Sequence, residues 1–358
     1  MMQDTSGASP ASSSRPSRIA VVTEYPGQTD LVTGRLLSGS TGRIFWDLWE
    51  DAGLPKPVGV FSVLSKRPGS GKIEDFCLAK KEAQEQALRW GMASYPWEMI
   101  KAGKYLHPRF SGDLEKLKQG LESCQPNLVV CLGSLACWAL LGSAKISKLR
   151  GTCAESSLLP GLKVLPTYHP QTIMREWDQR VIAGADLLKA KREGTFPEII
   201  RPKRTIYVVE TREDVDWVGA RLADESFLSL DIETKNGQIT CLSFAPSPAE
   251  SFVFPFTDSR KPDWNFWSSP ADEVHAWKQV KALCENPSIK KILQNGVYDI
   301  QYLWRVMNIK TLGFREDTMI LHHCLYSELP KSLGFMGSIY TNEQSWKLMR
   351  RWTEKDIK

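Results

Sequence analysis

The stretch FLSLDIETKNGQITCLSFA, Phe227–Ala245, decides how the C-terminal half is read. Its apolar residues Phe227, Leu228, Leu230 and Ile232 describe an extended strand, and Asp231 and Glu233 stand two apart within it. Period two puts residues i and i+2 on one face of a strand. Two carboxylates sharing a face repel unless a cation lies between them, so the pair asks for a divalent metal. A lone D-x-E is more often the solvated face of an edge strand, but the apolar flanks argue here for a central strand. Further along, ILQNGVYDIQYLW (Ile292–Trp304) adds Asn295 and Asp299 at i, i+4, one face of a helical turn. A third carboxylate placed there suits a two-metal site, which clamps the attacking and leaving oxygens of a phosphodiester.

With EDTMILHHCLYSELPKSLGF (Glu316–Phe335) added, these blocks resemble the 3′–5′ proofreading exonuclease of phage-type family A DNA polymerases, over roughly residues 205–358. The resemblance implies an RNase H-like domain with a mixed sheet. It also implies Asp-Glu-Asp-Asp (DEDD) carboxylates on Mg²⁺ or Mn²⁺, and metal-dependent removal of nucleotides from a DNA 3′ end. Asp231 and Glu233 match the first motif, Asp299 matches the second, and Asn295 holds the position that steadies the second. The family's third motif, a Y-x-x-x-D helix, is not matched. Tyr340 is followed four residues on by Gln344, and Asp356 is preceded at that spacing by Trp352. The expectation is therefore an exonuclease domain truncated before its third motif. His322 and His323, in a helical LHH run, read as packing.

The first two hundred residues alternate apolar runs with helical stretches. IAVVTEYPG (Ile19–Gly27), NLVVCLGSLACWALLG (Asn127–Gly142) and LKVLPTYHP (Leu162–Pro170) are buried strands that break into loops, with helical segments such as DLEKLKQGLESCQ (Asp113–Gln125) between them. Continuous β-branched runs separated by helices predict an α/β fold, a parallel sheet flanked by helices on both faces. Ligands bind such sheets outside the carboxyl ends of the strands, so Glu24, Asp30 and His169 should converge on one cleft.

Those loops resemble the uracil-DNA glycosylase superfamily, closest to its family 4, over about Ile19–Lys191. The family's motifs appear here as TEYPG, TGR (Thr33–Arg35), CLGSLACWALLG and YHPQT, the last a His-Pro loop that includes Pro170 and inserts into DNA. A glycosylase flips a base from the stack and stabilises a cationic sugar while the base leaves as an anion. On this resemblance Glu24 and Asp30 are the acidic residues facing the sugar or its water, and His169 faces the base carbonyl. Leu37 falls where the family stacks an aromatic ring on uracil. Ser62 falls where the family has the Asn that reads the uracil edge. Leucine lacks the flat face, and a hydroxyl cannot donate and accept in the paired geometry of an amide. No cysteine precedes Cys77, so the N-terminal half of family 4's ligand set is missing and no iron–sulfur cluster is expected.

Composition sets the frame. A chain of 358 residues, 42% apolar, is natural for two domains. The divisions expected are a disordered tail over 1–17, a glycosylase-like domain over 18–192, a basic linker over 193–204 and the exonuclease-like domain over 205–358. The tail lacks an apolar core and is not a signal peptide, and no run approaches the ~18 residues of a membrane span. Eight cysteines without C-x-x-C spacing read as reduced thiols of a cytoplasmic protein, host cytoplasm if phage-encoded. A net charge of +5 permits a nucleic-acid partner without requiring one. KAKREGTFPEIIRPKR (Lys189–Arg204) reads as linker that also touches phosphates, and SKRPGSGK (Ser65–Lys72), with Lys66 and Arg67, as a basic surface loop on the DNA backbone. The partners expected are DNA, single-stranded or at a 3′ end, and a separate polymerase chain. Two readings stand beside the exonuclease: a non-catalytic module that holds DNA and a polymerase, and a uracil-DNA glycosylase with an inactive exonuclease domain.

Overall fold

Short apolar runs build the first sheet: β1 (Ile19–Thr23), β2 (Gly59–Ser62), β3 (Cys77–Ala79), β4 (Lys104–Leu106), β5 (Leu128–Leu132), β6 (Ala154–Glu155) and β7 (Lys163–Thr167). β3 and β4 form a separate antiparallel ribbon; the rest lie in the order β2-β1-β5-β7-β6, parallel except for the two-residue edge β6. Every residue of β1, β5 and β7 is buried, because helices cover both faces. The helices of this region are α1 (Gln28–Thr33), α2 (Ser40–Asp51), α3 (Lys80–Arg89), α4 (Ser111–Cys124), α5 (Ser134–Leu141), α6 (Ile146–Leu149), α7 (Pro170–Arg175) and α8 (Gln179–Glu193). Ala20, Val22, Val129, Cys131 and Val164 pack with Leu114, Leu117 and Leu121 of α4 and with α5. The alternate residues Ile19, Val21, Leu128, Val130 and Leu165 pack with Phe45, Leu48 and Trp49 of α2 and Leu187 of α8. Each such buried Val or Leu contributes about 1.5–3 kcal/mol. The α/β architecture expected from the runs is the one observed.

The second sheet contains β8 (Thr205–Val208), β9 (Phe227–Lys235), β10 (Gln238–Ser247), β11 (Glu250–Pro255), β12 (Lys290–Leu293) and β13 (Phe314–Asp317), with α9 (Arg212–Leu222), α10 (Pro270–Glu285), α11 (Gly296–Met307) and α12 (Thr318–Leu325). Its order is β13-β12-β9-β10-β11-β8. The β9–β10–β11 meander is antiparallel and β12 and β13 run parallel beyond β9, the RNase H-like mixed sheet expected of this half. Asn236 and Gly237 between β9 and β10 both have positive φ, as a two-residue hairpin turn requires. β9 alternates: Leu228, Leu230 and Ile232 enter the core while Ser229, Asp231 and Glu233 face outward.

The computed structural model describes residues 17–343; the expected tail, apart from Ser17, and Gln344, Trp352 and Asp356 lie outside the described residues. Contacts divide the chain into one unit of Met1–Ile200 with Gly334–Lys358 and another of Arg201–Leu333. α8 ends at Glu193, the first residue of the expected linker. The other boundary differs from the sequence reading of 205–358, since the chain from Gly334, within α13 (Leu333–Tyr340), rejoins the first unit.

Buried polar groups of the first unit hold this returning segment. Lys189 Nζ donates to the carbonyls of Gly151, Ser338 and Thr341, a cation seated at the C-terminal end of α13. Arg150 donates to Ser338 Oγ at 2.9 Å and is paired with Asp186, all but inaccessible to solvent. Thr152 Oγ1 donates to the Glu343 carbonyl at 3.0 Å. Lys189 therefore lies buried at the end of α8 rather than on a phosphate-touching linker.

Candidate functional site

The carboxyl ends of β1 and β7 open into one cavity of about 120 Å³, whose lining includes Thr23, Glu24, Asp30, Leu37, Arg67 and His169. The convergence expected from the strand–loop pattern is thus present. Its pivot is Gly133, between β5 and α5, at φ 90° and ψ 179°, a region open essentially to glycine alone. The Gly133 N–H donates to the Thr167 carbonyl at 3.0 Å, tying the β5 loop to the end of β7. A Cβ on Gly133 would lie 2.5 Å from Glu24 Oε1 and 3.0 Å from His169 Cβ. The missing side chain is what lets the acid and the imidazole approach from two sides.

Glu24 Oε1 accepts the Leu135 N–H at 3.0 Å, in the first turn of α5. A carboxylate there meets an unpaired backbone donor and the positive end of the helix, which fixes its orientation. His169 caps α7: its Nδ1 accepts the Gln171 N–H at 3.2 Å, and its Nε2 lies 3.2 Å from Thr23 Oγ1. An accepting Nδ1 leaves the proton on Nε2. Burial holds the His169 pKa below its usual value, against the upward pull of Glu24 and Asp30 and with a push in the same direction from Arg175. At neutral pH the ring is neutral and offers an N–H donor.

Asp30 lines the cavity and also builds its wall. Oδ2 accepts the Gly27 N–H at 2.9 Å, and Oδ1 accepts both the N–H and the hydroxyl of Ser38 at 2.8 Å. Burial pushes its carboxyl up, but hydrogen bonds from Ser38, Gly27 and Leu37 outweigh that and hold it below its usual value. The loop so closed presents Leu37 in the left-handed conformation, φ 55°. Leu37 is held there because its carbonyl accepts Trp46 Nε1 at 3.1 Å and because Gly42 of α2 leaves it room: a Cβ at Gly42 would fall 1.9 Å from that oxygen.

Among the residues singled out from sequence, Glu24, Asp30, Leu37, Arg67 and His169 come together. Pro170 is buried at the first position of α7, behind His169. Ser62 ends β2 in register with Thr23 and is not part of the cavity lining, and Lys66 is exposed on the loop that carries Arg67. Sequence reasoning missed Gly133, Ser38 and Tyr25. Tyr25 lines the cavity, donates its hydroxyl to the Gly71 carbonyl at 3.2 Å, and has its pKa raised by burial first and by Glu24 next. The glycine after a buried strand in CLGS was the available signal for Gly133.

In the second unit, Asp231 and Glu233 share the outward face of β9, in register with Ser243 and Cys241 of β10. Asp299, in the first turn of α11, is buried and accepts the Ile232 N–H at 3.0 Å. Burial raises its pKa, hydrogen bonds from Ile232 and its own backbone oppose this, and the charges of Asp317 and Glu233 add to the rise. Asn295 takes the left-handed conformation at the N-terminus of α11, where Asp317 accepts its N–H and that of Gly296. Asp317 is the anchor of this turn, and sequence reading passed over it. Among the described residues no three His, Cys, Asp or Glu side chains form a group that could hold a metal ion. The set expected for Mg²⁺ or Mn²⁺ is Asp231, Glu233 and Asp299; one Asp299 oxygen is taken by the N–H of Ile232, the residue between the two β9 carboxylates. His322 of α12 is buried and His323 exposed.

A family model described as the uracil DNA glycosylase superfamily matches residues 10–193. A type-4 uracil-DNA glycosylase of Thermotoga maritima is 27% identical over 179 residues, 49% of this chain and 76% of that protein. Among solved structures, Escherichia coli RNase D, described as an exoribonuclease involved in structured RNA processing, is 17% identical over 43% of this chain, with a TM-score of 0.31. The exonuclease domain of Aedes aegypti Nibbler is 10% identical over 45% of this chain and 83% of its own, also with a TM-score of 0.31. The chain spans about two fifths of the length of the RNase D structures it matches.

Proposed function

The chain belongs to the uracil DNA glycosylase superfamily, and from that premise we propose that its first unit receives a base flipped out of DNA and hydrolyses its N-glycosidic bond. The observation that carries this reading is the meeting of Glu24, Asp30 and His169 in one cavity at the carboxyl ends of β1 and β7. The neutral His169 ring donates from Nε2 to the base carbonyl as negative charge develops there. Glu24, its direction set by the Leu135 N–H, faces the cationic sugar or the water that attacks it. Asp30 adds negative potential and holds Leu37 against the base. Arg67 and Lys66 take the flanking phosphates.

A pyrimidine of the uracil type is the substrate class this reading fits, with looser discrimination than a full edge-reading pocket gives. Leu37 offers apolar contact without a flat ring, and Ser62 stands outside the cavity lining. The second unit, in this reading, holds nucleic acid for the first. No step of base release is assigned to Asp231, Glu233 and Asp299. The setting is DNA repair or replication; a phage-type system with a separate polymerase chain rests on the sequence resemblance, and a cytoplasmic location on the cysteine pattern. No helix of the described residues is long and apolar enough to cross a membrane.

The test uses 5′-labelled single-stranded DNA with one deoxyuridine, treated with alkali after incubation. Wild type should leave an alkali-labile break at that position, and His169→Leu and Glu24→Gln should each lose it while still binding the oligonucleotide. A break that survives both substitutions would place the chemistry elsewhere. A second reading, a DNA-binding module without base release, is favoured by Leu37 and Ser62. It predicts tight binding with no break even in wild type.

A further inference from the structure

A second cavity lies wholly within the second unit, and neither Asp231 nor Glu233 lines it. It measures about 380 Å³ and is bounded by the start of β10 (Gln238, Ile239), the 256–265 loop, α10 (Glu273, Trp277) and the end of α11 (Val306, Met307). Nothing in the base-release reading uses it.

Its walls are aromatic and prearranged. Trp277 stacks on Phe256 with ring centroids 3.7 Å apart and planes 11° apart. Trp264 is 43% exposed and has φ 57°, a left-handed backbone that L side chains rarely adopt. Its neighbours over-determine that conformation. The Trp264 N–H donates to the Lys261 carbonyl, its own carbonyl accepts the Asp258 N–H, and Thr257 bridges to Asn265. Backbone strain kept in place by surrounding bonds, with a large ring left in solvent, points to a ring that is held out for contact.

The polar groups choose the ligand. Asn265 Nδ2 donates to Glu273 Oε2 at 3.2 Å, and Asp263, Gln238 and Thr257 complete the polar lining. Carboxylates inside the cavity repel phosphate and accept hydrogen bonds from amino groups. At the rim the charge reverses: Lys235 Nζ sits 4.9 Å from the Trp264 ring centroid. A cation already over that ring disfavours a second cationic ligand there and provides a phosphate contact just outside. Aromatic faces in the cavity, amino-accepting oxygens at its edge and a lysine at its mouth match a planar base hanging from a phosphodiester backbone.

We infer that this cavity is a second nucleic-acid site, which stacks one base of a single strand on Trp264 and favours bases with an exocyclic amine, adenine or cytosine. The site neither requires nor supplies base release, so its failure and that of the glycosylase reading are distinguishable.

The experiment is fluorescence anisotropy of labelled dA, dC and dT homo-oligonucleotides against the full chain. Two variants remove the ring while accepting the left-handed backbone, Trp264→Gly and Trp264→Asn. Trp264→Phe keeps a stacking face. The expected result is tighter binding of dA and dC than dT, a loss of about tenfold or more for dA in both ring-less variants, and most of the affinity retained with Trp264→Phe. Glu273→Gln should bring the dA and dT affinities together. Unchanged dA binding in Trp264→Gly and Trp264→Asn would overturn the inference. So would a Trp264-dependent affinity for an arginine-rich peptide with none for oligonucleotides, which would make the cavity a peptide site.

Discussion

Replacing Gly133 by alanine is the sharpest perturbation of the proposed site, because it adds one methyl group where two functional side chains meet. The new Cβ would stand 2.5 Å from Glu24 Oε1, about 1 Å short of an ordinary 3.4 Å contact, and 3.0 Å from His169 Cβ. At φ 90° the backbone itself resists a side chain, at roughly 1–3 kcal/mol. Relief requires Glu24 to retreat from the Leu135 N–H, 3.0 Å away, and a lost bond of this kind to a charged acceptor costs a further 1.5–3 kcal/mol or so. Together, at about 2.5–6 kcal/mol, these should lower the melting temperature by roughly 5–24 °C, taking about 2–4 °C per kcal/mol for a unit of this size. A displacement near 1 Å at a reacting group costs on the order of 100-fold in rate. The assay is single-turnover base release from deoxyuridine-containing DNA, beside a calorimetric melt. If the clash with Glu24 is the cause, Glu24→Ala placed in the Gly133→Ala background should recover part of the melting temperature without recovering the rate. A Gly133→Ala protein within threefold of the wild-type rate and with an unchanged melting temperature would show that Glu24 and His169 meet without needing the Cβ to be absent.

Other consequences follow from the same geometry. His169 is held neutral by burial, its pKa below the unfolded value near 6.5. The stability linked to it is present above that pH and lost as pH falls through the lower folded value, and base release should fall over the same range. An NMR titration of the ring beside the pH–rate profile checks this, and a folded pKa above 6.5 would contradict it. Lys189 has its pKa lowered to about 8, by burial first, with Asp186 opposing and Arg150 assisting. Between about 8 and the unfolded value near 10.5 the unfolded chain holds more proton, so stability should rise with pH there. In Lys189→Met that part of the rise should vanish, with faster amide exchange over 338–343; an unchanged difference between the two pH profiles would argue against it. Asp30→Asn loses the acceptor for the Gly27 N–H and places an NH₂ against it. It should cost about 1.5–3 kcal/mol and release the Leu37 loop, measured by denaturant unfolding. A stability equal to wild type would show that the loop closes without the carboxylate.

The strand runs of the first half and the alternation of β9 were legible because each follows from burial: two covered faces give continuous apolar strands, one gives period two. Glu24 and His169 were legible as residues that leave strand ends. What the sequence could not disclose is mostly a matter of close approach and buried charge. Gly133 matters for the Cβ it lacks, visible only once Glu24 and His169 are in place. The return of Gly334–Glu343 to the first unit depends on Lys189 and Arg150, which in sequence look like surface charges. Spacing put Asp299 one helical turn after Asn295, but not the rotation that turns its carboxylate onto the Ile232 N–H. Ser62 ends β2 beside Thr23 but is not part of the cavity lining, a distinction that alignment of short motifs does not resolve. Trp264 read as one tryptophan among thirteen; its left-handed backbone gave no sequence signal.

The central claim is that the cavity at Glu24 and His169 releases a base, and free uracil is its most direct product. Wild-type protein should be incubated with uracil-containing single-stranded DNA in EDTA, which silences metal-dependent nuclease action, and the supernatant analysed for uracil by mass spectrometry. Free uracil should accumulate with time while the DNA keeps its length, with none released by His169→Leu. No uracil from wild type, with the oligonucleotide bound but intact, would contradict it.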